Sequence, residues 1–237
     1  MTETRILVVN ADDFGFSDGV SRAIVHAHRH GIVTSTSLMV RMPGAARAVA
    51  MSRECPDLEI GLHLDLGEWE FDHGEWITVY EVTRTDDDLA VTHEVERQLN
   101  AFRALMGREP THIDSHQHVH LRPIVRPIVE HAANALGIPL RHVTPRIAYC
   151  GRFYGQTTEG TSLPESISVE ALLGILGTLP LGVTELACHP GEGDDSNTMY
   201  RMERRLEREV LCDPRIRKAL TAQSIVLSAF SRLAMLP

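Results

Sequence analysis

The stretch Ile6-Leu7-Val8-Val9-Asn10-Ala11-Asp12-Asp13-Phe14-Gly15 decides how the rest of the chain is read. A short apolar run from Ile6 to Ala11 suits a strand buried on both faces, as in a parallel sheet, and it stops at two carboxylates. Ser17 can cap a helix in which Val20, Ile24 and Ala27 recur at helical spacing, and Gly31 stops it. Strand and helix therefore alternate from the outset. No Gly-x-Gly-x-x-Gly follows the first strand, so the signature of a nucleotide-binding doubly wound sheet is missing.

The alternation continues along the chain. Thr34–Val40 and Glu59–Leu66 read as strands separated by a helix over Pro43–Cys55, and the third strand carries His63. The pattern then fails over about residues 67–91, where Trp69, Phe71, Trp76 and Tyr80 are mixed with acids. This is read as an irregular insertion suited to sugar stacking or to folding back on the domain. Thr92 is the expected cap of the next helix, with Val95, Leu99, Phe102 and Met106 as its apolar stripe. Leu140–Thr144 is expected as strand five, about 146–166 as a second irregular insertion, Val183–His189 as strand six and Ile225–Ala229 as the last strand. Gly191–Asn197 reads as a loop over the mouth. Arg201–Leu211 reads as a solvated helix whose buried line is Met202, Leu206 and Val210. The expectation is one α/β domain over 1–237, a distorted or incomplete (β/α) barrel with about seven parallel strands.

Composition narrows the functions. A net charge of −9 and a pI near 5.8 leave no basic stripe for nucleic acid. No segment reaches 18 consecutive apolar residues, so no membrane span is expected. Cys55, Cys150, Cys188 and Cys212 are far apart with no Cys-x-x-Cys, which fits a reduced, cytoplasmic setting. A homodimer is admitted as the assembly.

The segment Thr111-His112-Ile113-Asp114-Ser115-His116-Gln117-His118-Val119-His120 holds four of the 13 histidines. If it stays extended, Asp114, His116, His118 and His120 share one side. Parallel barrels gather the carboxyl ends of their strands at one mouth, and Asp12, Asp13, His63, His116, His118 and His189 all fall at such ends. One carboxylate with two imidazoles leaves positions open on a divalent ion, and water on such an ion becomes a nucleophile near neutral pH. A second carboxylate could take a proton and an imidazolium could protonate a leaving group, the parts needed to hydrolyse an amide or ester. His26, His28 and His30 on the first helix read instead as surface residues, because no Glu follows His26 as in a zinc-protease helix.

Five motifs, Val9-Asn10-Ala11-Asp12-Asp13-Phe14-Gly15, Gly31-Ile32-Val33-Thr34-Ser35-Thr36, Gly61-Leu62-His63, Pro110 to His120 and Cys188-His189-Pro190, make the chain resemble the YdjC/ChbG carbohydrate deacetylase family, whose relatives include the hopanoid-biosynthesis deacetylase. The resemblance implies a distorted (β/α) barrel related to NodB-type polysaccharide deacetylases, hydrolysis of an N-acetyl group from an amino sugar, and one divalent ion, Zn or Mg. By position it implies Asp13, His63 and His116 as metal ligands, Asp12 as general base and His189 as general acid. Asp114, His118 and Arg152 would then contact substrate or support the ligands. A different metal-dependent amide, ester or phosphoester hydrolase, or a non-catalytic sugar- or metal-binding homologue, stand as alternatives.

Overall fold

A computed structural model of the chain describes residues 4–194 and 200–233, so the loop expected over the mouth is described only as far as Asp194. The elements run β1 (Arg5–Phe14), α1 (Asp18–His30), β2 (Ser35–Leu38), α2 (Ala45–Ser52), β3 (Glu59–Leu64), β4 (Gly67–Asp72), β5 (Glu75–Glu81), α3 (Asp88–Met106) and β6 (Ile113–Ser115). They continue with α4 (Val125–Leu136), β7 (Ile147–Cys150), α5 (Val169–Gly177), β8 (Gly182–Cys188), α6 (Met202–Leu211), α7 (Pro214–Ala222), β9 (Ile225–Ser228) and α8 (Phe230–Leu233).

Seven strands form one all-parallel sheet in the order β6-β3-β2-β1-β8-β7, with β9 also on β1. β1 lies at its centre, and from Ile6 onward it is buried without a break, as its apolar run requires. β8 takes one edge of β1 along Arg5–Ala11. The other edge is shared, β9 pairing with Arg5–Val8 and β2 with Asn10–Phe14. Past β6 the ladder continues by a single parallel bridge, Ile113 to Leu140, so the sheet curls into a barrel that does not close between β6 and β7. Arg141 stands in that gap.

Local chemistry accounts for most boundaries. Ser17 accepts from Val20 N at 3.0 Å and Ser168 from Ala171 N at 3.1 Å, the side-chain caps that satisfy the first free amides of α1 and α5. Gly107 and Gly137 end α3 and α4 in left-handed conformation.

Five expectations are corrected. The stretch 67–91 is not irregular: β4 and β5 form their own antiparallel hairpin, and α3 starts at Asp88. Its cap is Asp87, which accepts from Ala90 N at 3.0 Å, while Thr92 lies inside the helix and donates to Asp88 O at 2.8 Å. An acid in the run 86–88 competes for the cap, and the earlier oxygen wins because it adds a turn of helix. Strand five is not Leu140–Thr144, which offers one bridge; β7 lies within 146–166 and pairs with β8. The segment after Ser115 does not stay extended. His116–Leu121 is a tight 3-10 turn in which Gln117 (φ 49°) and His118 (φ 52°) are left-handed, so period-two alternation stops at Ser115. Finally, α6 turns its charges inward. Met202 is 58% exposed, whereas Glu203, Arg204 and Glu207 are buried beside Val210 and Leu211.

Replacing Asp87 by Ala should cost about 1 kcal/mol of stability, and replacing Thr92 by Ala less than about 0.5 kcal/mol, in urea unfolding. The reverse order would return the cap to Thr92.

Candidate active site

Asp12 and Asp13 end β1 side by side yet point to different partners. Asp13 has φ 67°, an excursion that Asp tolerates better than most residues, and it swings one carboxylate away from the other. Asp12 receives two bonds from Arg141, at 2.6 and 2.7 Å, and one from Asn10 Nδ2 at 2.9 Å. Asp13 Oδ2 accepts from Arg204 at 2.6 Å. Its Oδ1 lies 3.3 Å from His63 Nε2 and 3.3 Å from His116 Nδ1.

β3 and β6 are neighbours with His63 in register with Asp114. His63 Nδ1 and Asp114 Oδ1 are 2.7 Å apart. A carboxylate only accepts, so Nδ1 carries the proton and Nε2 presents its lone pair toward Asp13 whenever the ring is neutral. Asp114 is itself held by Ser37 Oγ at 2.8 Å, Asn10 Nδ2 at 3.1 Å and Arg141 at 2.8 Å. Its role is to fix His63 and to anchor Arg141.

The electrostatics show where a cation belongs. Burial pushes Asp12 and Asp13 upward, but the guanidinium of Arg141 and that of Arg204, respectively, lead the opposing interactions, and both carboxyls end below the ordinary aspartate value. Burial disfavours a charged His63, yet Asp114 and Asp13 raise it to about 10. The space between Asp13 and Asp114 therefore stabilises positive charge. Two acid and imidazole groups there have the spacing of a metal site, Asp13-His63-His116 and Asp12-His63-Asp114, with ligand atoms within 4.8 Å of one another. The second already holds Arg141 between its carboxylates. In the first, Asp13 Oδ1, His63 Nε2 and His116 Nε2 are buried and without a hydrogen-bond partner among the described residues. Two imidazoles and one carboxylate in that state fit a divalent ion with positions left open.

His189 follows β8, with Nε2 3.7 Å from Asp12 Oδ2. Its backbone N–H donates to Glu207, which also accepts from Tyr200 Oη, and its Nδ1 lies 3.9 Å from Glu207 Oε1. Burial lowers His189 to about 4, so the ring is neutral at pH 7, and burial raises Glu207 to about 8. His118 also faces the cavity, with Nε2 3.2 Å from Tyr149 Oη. Burial and the charge of Arg141 lower it to about 3, so it stays a neutral polar group.

These groups surround a cavity of about 550 Å³. Its walls are the hairpin residues Glu68 and Trp69, the His118–Tyr149–His142 cluster, and the stacked pair Tyr154 and Tyr200, whose rings are 4.6 Å apart. The structure thus brings Asp12, Asp13, His63, His116, His118 and His189 to one cavity, with Asp114 directly beneath. Arg152 is not brought there. Its neighbours Gly151 and Phe153 face the cavity, so its side chain turns outward and donates to Thr178 Oγ1 at 2.7 Å at the surface. His120 is buried against Ser115 and the Arg141 carbonyl, and His112 stacks on Phe230. Both serve packing.

Arg141, Glu185, Arg204 and Glu207 were not anticipated. Both arginines come from outside the sequence motifs that mark the rim. The available signal was the excess of carboxylates at the rim, which demands buried partners. On α6, the spacing Glu203, Glu207, Val210, Leu211 is as helical as the apolar line preferred instead.

The curled parallel barrel is a fold shared with carbohydrate esterases. A family 4 carbohydrate esterase from Streptomyces lividans shares the fold, at TM-score 0.55 and 13% identity over 96% of this chain and 93% of its own. The chain belongs to the YdjC-like protein family, whose model matches residues 6–222. A chitooligosaccharide deacetylase of Serratia marcescens is 34% identical over 97% of this chain and 99% of its own. A carbohydrate deacetylase of Brevibacillus brevis is 34% identical over 96% of this chain and 99% of its own. A solved structure from Enterococcus faecalis, provisionally assigned to cellobiose-phosphate cleavage, aligns at TM-score 0.78 and 26% identity over 98% of this chain and 99% of its own.

Two outcomes follow. Arg141→Ala leaves Asp12, Asp114 and Glu185 facing one another in the interior and should cost about 3–5 kcal/mol in urea unfolding. A cost below about 1 kcal/mol would mean that the carboxylates are not relying on it. Between pH 4.5 and about 8 the folded state keeps the Glu207 proton that the unfolded chain has lost, so this residue makes stability fall as pH rises through that window. In Glu207→Gln that part of the slope should vanish from thermal unfolding followed across the window.

Proposed function

We propose that the protein is a carbohydrate N-deacetylase that hydrolyses the acetamide of an N-acetylated amino sugar. The observation that carries this reading is the convergence of the buried, unpaired Asp13 Oδ1 and His63 Nε2 with the His116 ring, whose Nδ1 lies 3.3 Å from Asp13 Oδ1, beside a carboxylate and an imidazole that are not themselves needed as ligands. The names of the Serratia and Brevibacillus relatives support it, since they cover nearly the whole chain.

Asp13, His63 and His116 would hold a divalent ion, and two imidazoles favour zinc over magnesium. Such an ion supplies Lewis acidity toward the acetyl oxygen and a nucleophile near neutral pH. Asp12 is the proton acceptor. Arg141 and Asn10 fix its carboxylate and keep it ionised, at the cost of basicity. His189 is neutral at rest, so it acts as an acid only after taking up a proton within the cycle, and Asp12 at 3.7 Å is the group placed to deliver it. From Nε2 the proton goes to the departing amine. Glu207, gripping the His189 amide, holds that imidazole in place. Asp114 keeps His63 in the tautomer that offers Nε2. Gly151, Tyr154 and His118 leave room for the sugar on the far side of the cavity. Four free cysteines, three of them buried, suit a reducing compartment, and we place the protein in the cytoplasm; among the described residues no helix is long and apolar enough to cross a membrane.

Asp13→Ala should abolish both zinc binding by calorimetry and acetate release from N-acetylglucosamine oligomers. Asp12→Asn should bind zinc normally and lose activity by about 10²–10⁴-fold. Near-full activity in Asp12→Asn would remove Asp12 as the base.

A further inference from the structure

One wall of the cavity is built on strained backbone. His118 (φ 52°) and His142 (φ 63°) are both left-handed, and both lay an imidazole against one phenol, that of Tyr149. The ring centroid of Tyr149 lies 4.0 Å from that of His142 and 5.4 Å from that of His118, and all three side chains line the cavity. Residues other than glycine hold this conformation only where the surroundings compel it, so two of them converging on one cavity ring point to a use for that ring. Gly151 makes the space. A β-carbon there would come within 2.9 Å of Tyr149 Oη and Cε1, so the phenol fills the room that position 151 leaves empty. The Arg141 guanidinium lies 5.3 Å from the ring centroid and also makes the two bonds to Asp12, so the phenol and the proton acceptor are registered to the same group.

The 3.2 Å bond between Tyr149 Oη and His118 Nε2 decides where the hydroxyl proton goes. The neutral imidazole has one proton to place. On Nδ1, which is buried and has no hydrogen-bond partner among the described residues, it would be an orphaned donor; on Nε2 it is donated to Tyr149 Oη. The phenol oxygen then accepts from His118, and its own O–H is left to the cavity. Burial holds the phenol well above its ordinary pKa, so it stays protonated and serves as a hydrogen-bond donor, not as an acid or base. Two other hydroxyls of the cavity are already committed. Tyr200 donates to Glu207, and Ser115 donates to His120 Nδ1, whose Nε2 donates to the Arg141 carbonyl. The charges that act most on Tyr149 are those of Arg141, Asp12, Glu185 and Asp114, which puts its hydroxyl on the Asp12 side of the cavity.

We propose that Tyr149 is a substrate-binding residue: its O–H donates to a hydroxyl or ring oxygen of the N-acetylated amino sugar and sets the sugar relative to Asp12. This rests on the deacetylase reading. His118 is the positioning residue, acting through Tyr149 by fixing which way the phenol proton points.

The test pairs acetate release from N,N'-diacetylchitobiose by the zinc-loaded protein with calorimetric binding of the same sugar to the metal-free protein. Tyr149→Phe, which removes a single oxygen, should raise KM and the dissociation constant by about tenfold while kcat stays within about threefold. Its zinc affinity and the pH profile of kcat should be those of the native protein. Gly151→Ala, which keeps the hydroxyl but displaces it, should raise KM in the native background and add little in Tyr149→Phe. His118→Asn, an exchange that left-handed backbone tolerates, should raise KM by less than Tyr149→Phe does. A KM and a dissociation constant both unmoved in Tyr149→Phe would overturn the proposal and leave the deacetylase reading standing. A loss confined to kcat would overturn it as well, by placing the phenol at the reacting carbonyl. No acetate from the native protein would overturn both.

Discussion

One buried guanidinium organises the rim. Arg141 reaches from the gap between β6 and β7 and binds Asp12, Asp114 and Glu185 at 2.6 to 2.8 Å. Asp12 and Asp114 could not remain ionised and dry at the floor of a barrel without it, because the cost of desolvating each greatly exceeds what neutral hydrogen bonds return, and burial still pushes Glu185 up to about 7. Its presence also divides the labour between two adjacent aspartates. Asp12 is turned inward and held as an anion, whereas Asp13, rotated by its left-handed backbone, is only half-satisfied by Arg204 and offers Oδ1 to the cavity. Four elements distant in sequence thus share one charge balance: β1, β6, β8 and the segment that follows Leu140.

The same balance explains how much was legible beforehand. The parallel barrel could be read because its cause is local, in apolar runs ending in acids and in helices with Ser caps and Gly stops. The meeting of Asp13, His63 and His116 could be foreseen in outline because strand ends share a mouth. The turn at Gln117–His118 could not, since left-handed residues other than glycine leave no mark in a pattern of polarity. The cations were hidden for a related reason. Periodicity assumes that charge faces water, and on α6 it put Met202 inside and Arg204 outside, the reverse of what a carboxylate-lined interior requires. Arg152, expected to contact substrate or support the ligands, is left on the surface because the backbone after β7 turns its neighbours Gly151 and Phe153 inward.

Function follows from how the groups are separated. The partnerless Asp13 Oδ1 and His63 Nε2 sit together with the His116 ring, the Asp12 carboxylate and the neutral His189 imidazole sit beside them, and the hairpin forms one wall of the same cavity. In the proposed reaction, His189 being neutral at rest makes the proton taken by Asp12 part of the leaving-group step, so base and acid are coupled rather than independent. The hairpin, a two-stranded sheet separate from the barrel's own, supplies one wall of that cavity.

The central claim is that Arg141 occupies one acidic cluster and leaves the other for a divalent ion. Anomalous diffraction at the zinc absorption edge, from crystals grown with zinc, tests it most directly. The account predicts one strong peak about 2.0–2.2 Å from Asp13 Oδ1, His63 Nε2 and a ring nitrogen of His116, with Arg141 undisturbed. A peak between Asp12 and Asp114 with Arg141 displaced, or zinc bound only at surface histidines such as His26 and His30, would contradict it.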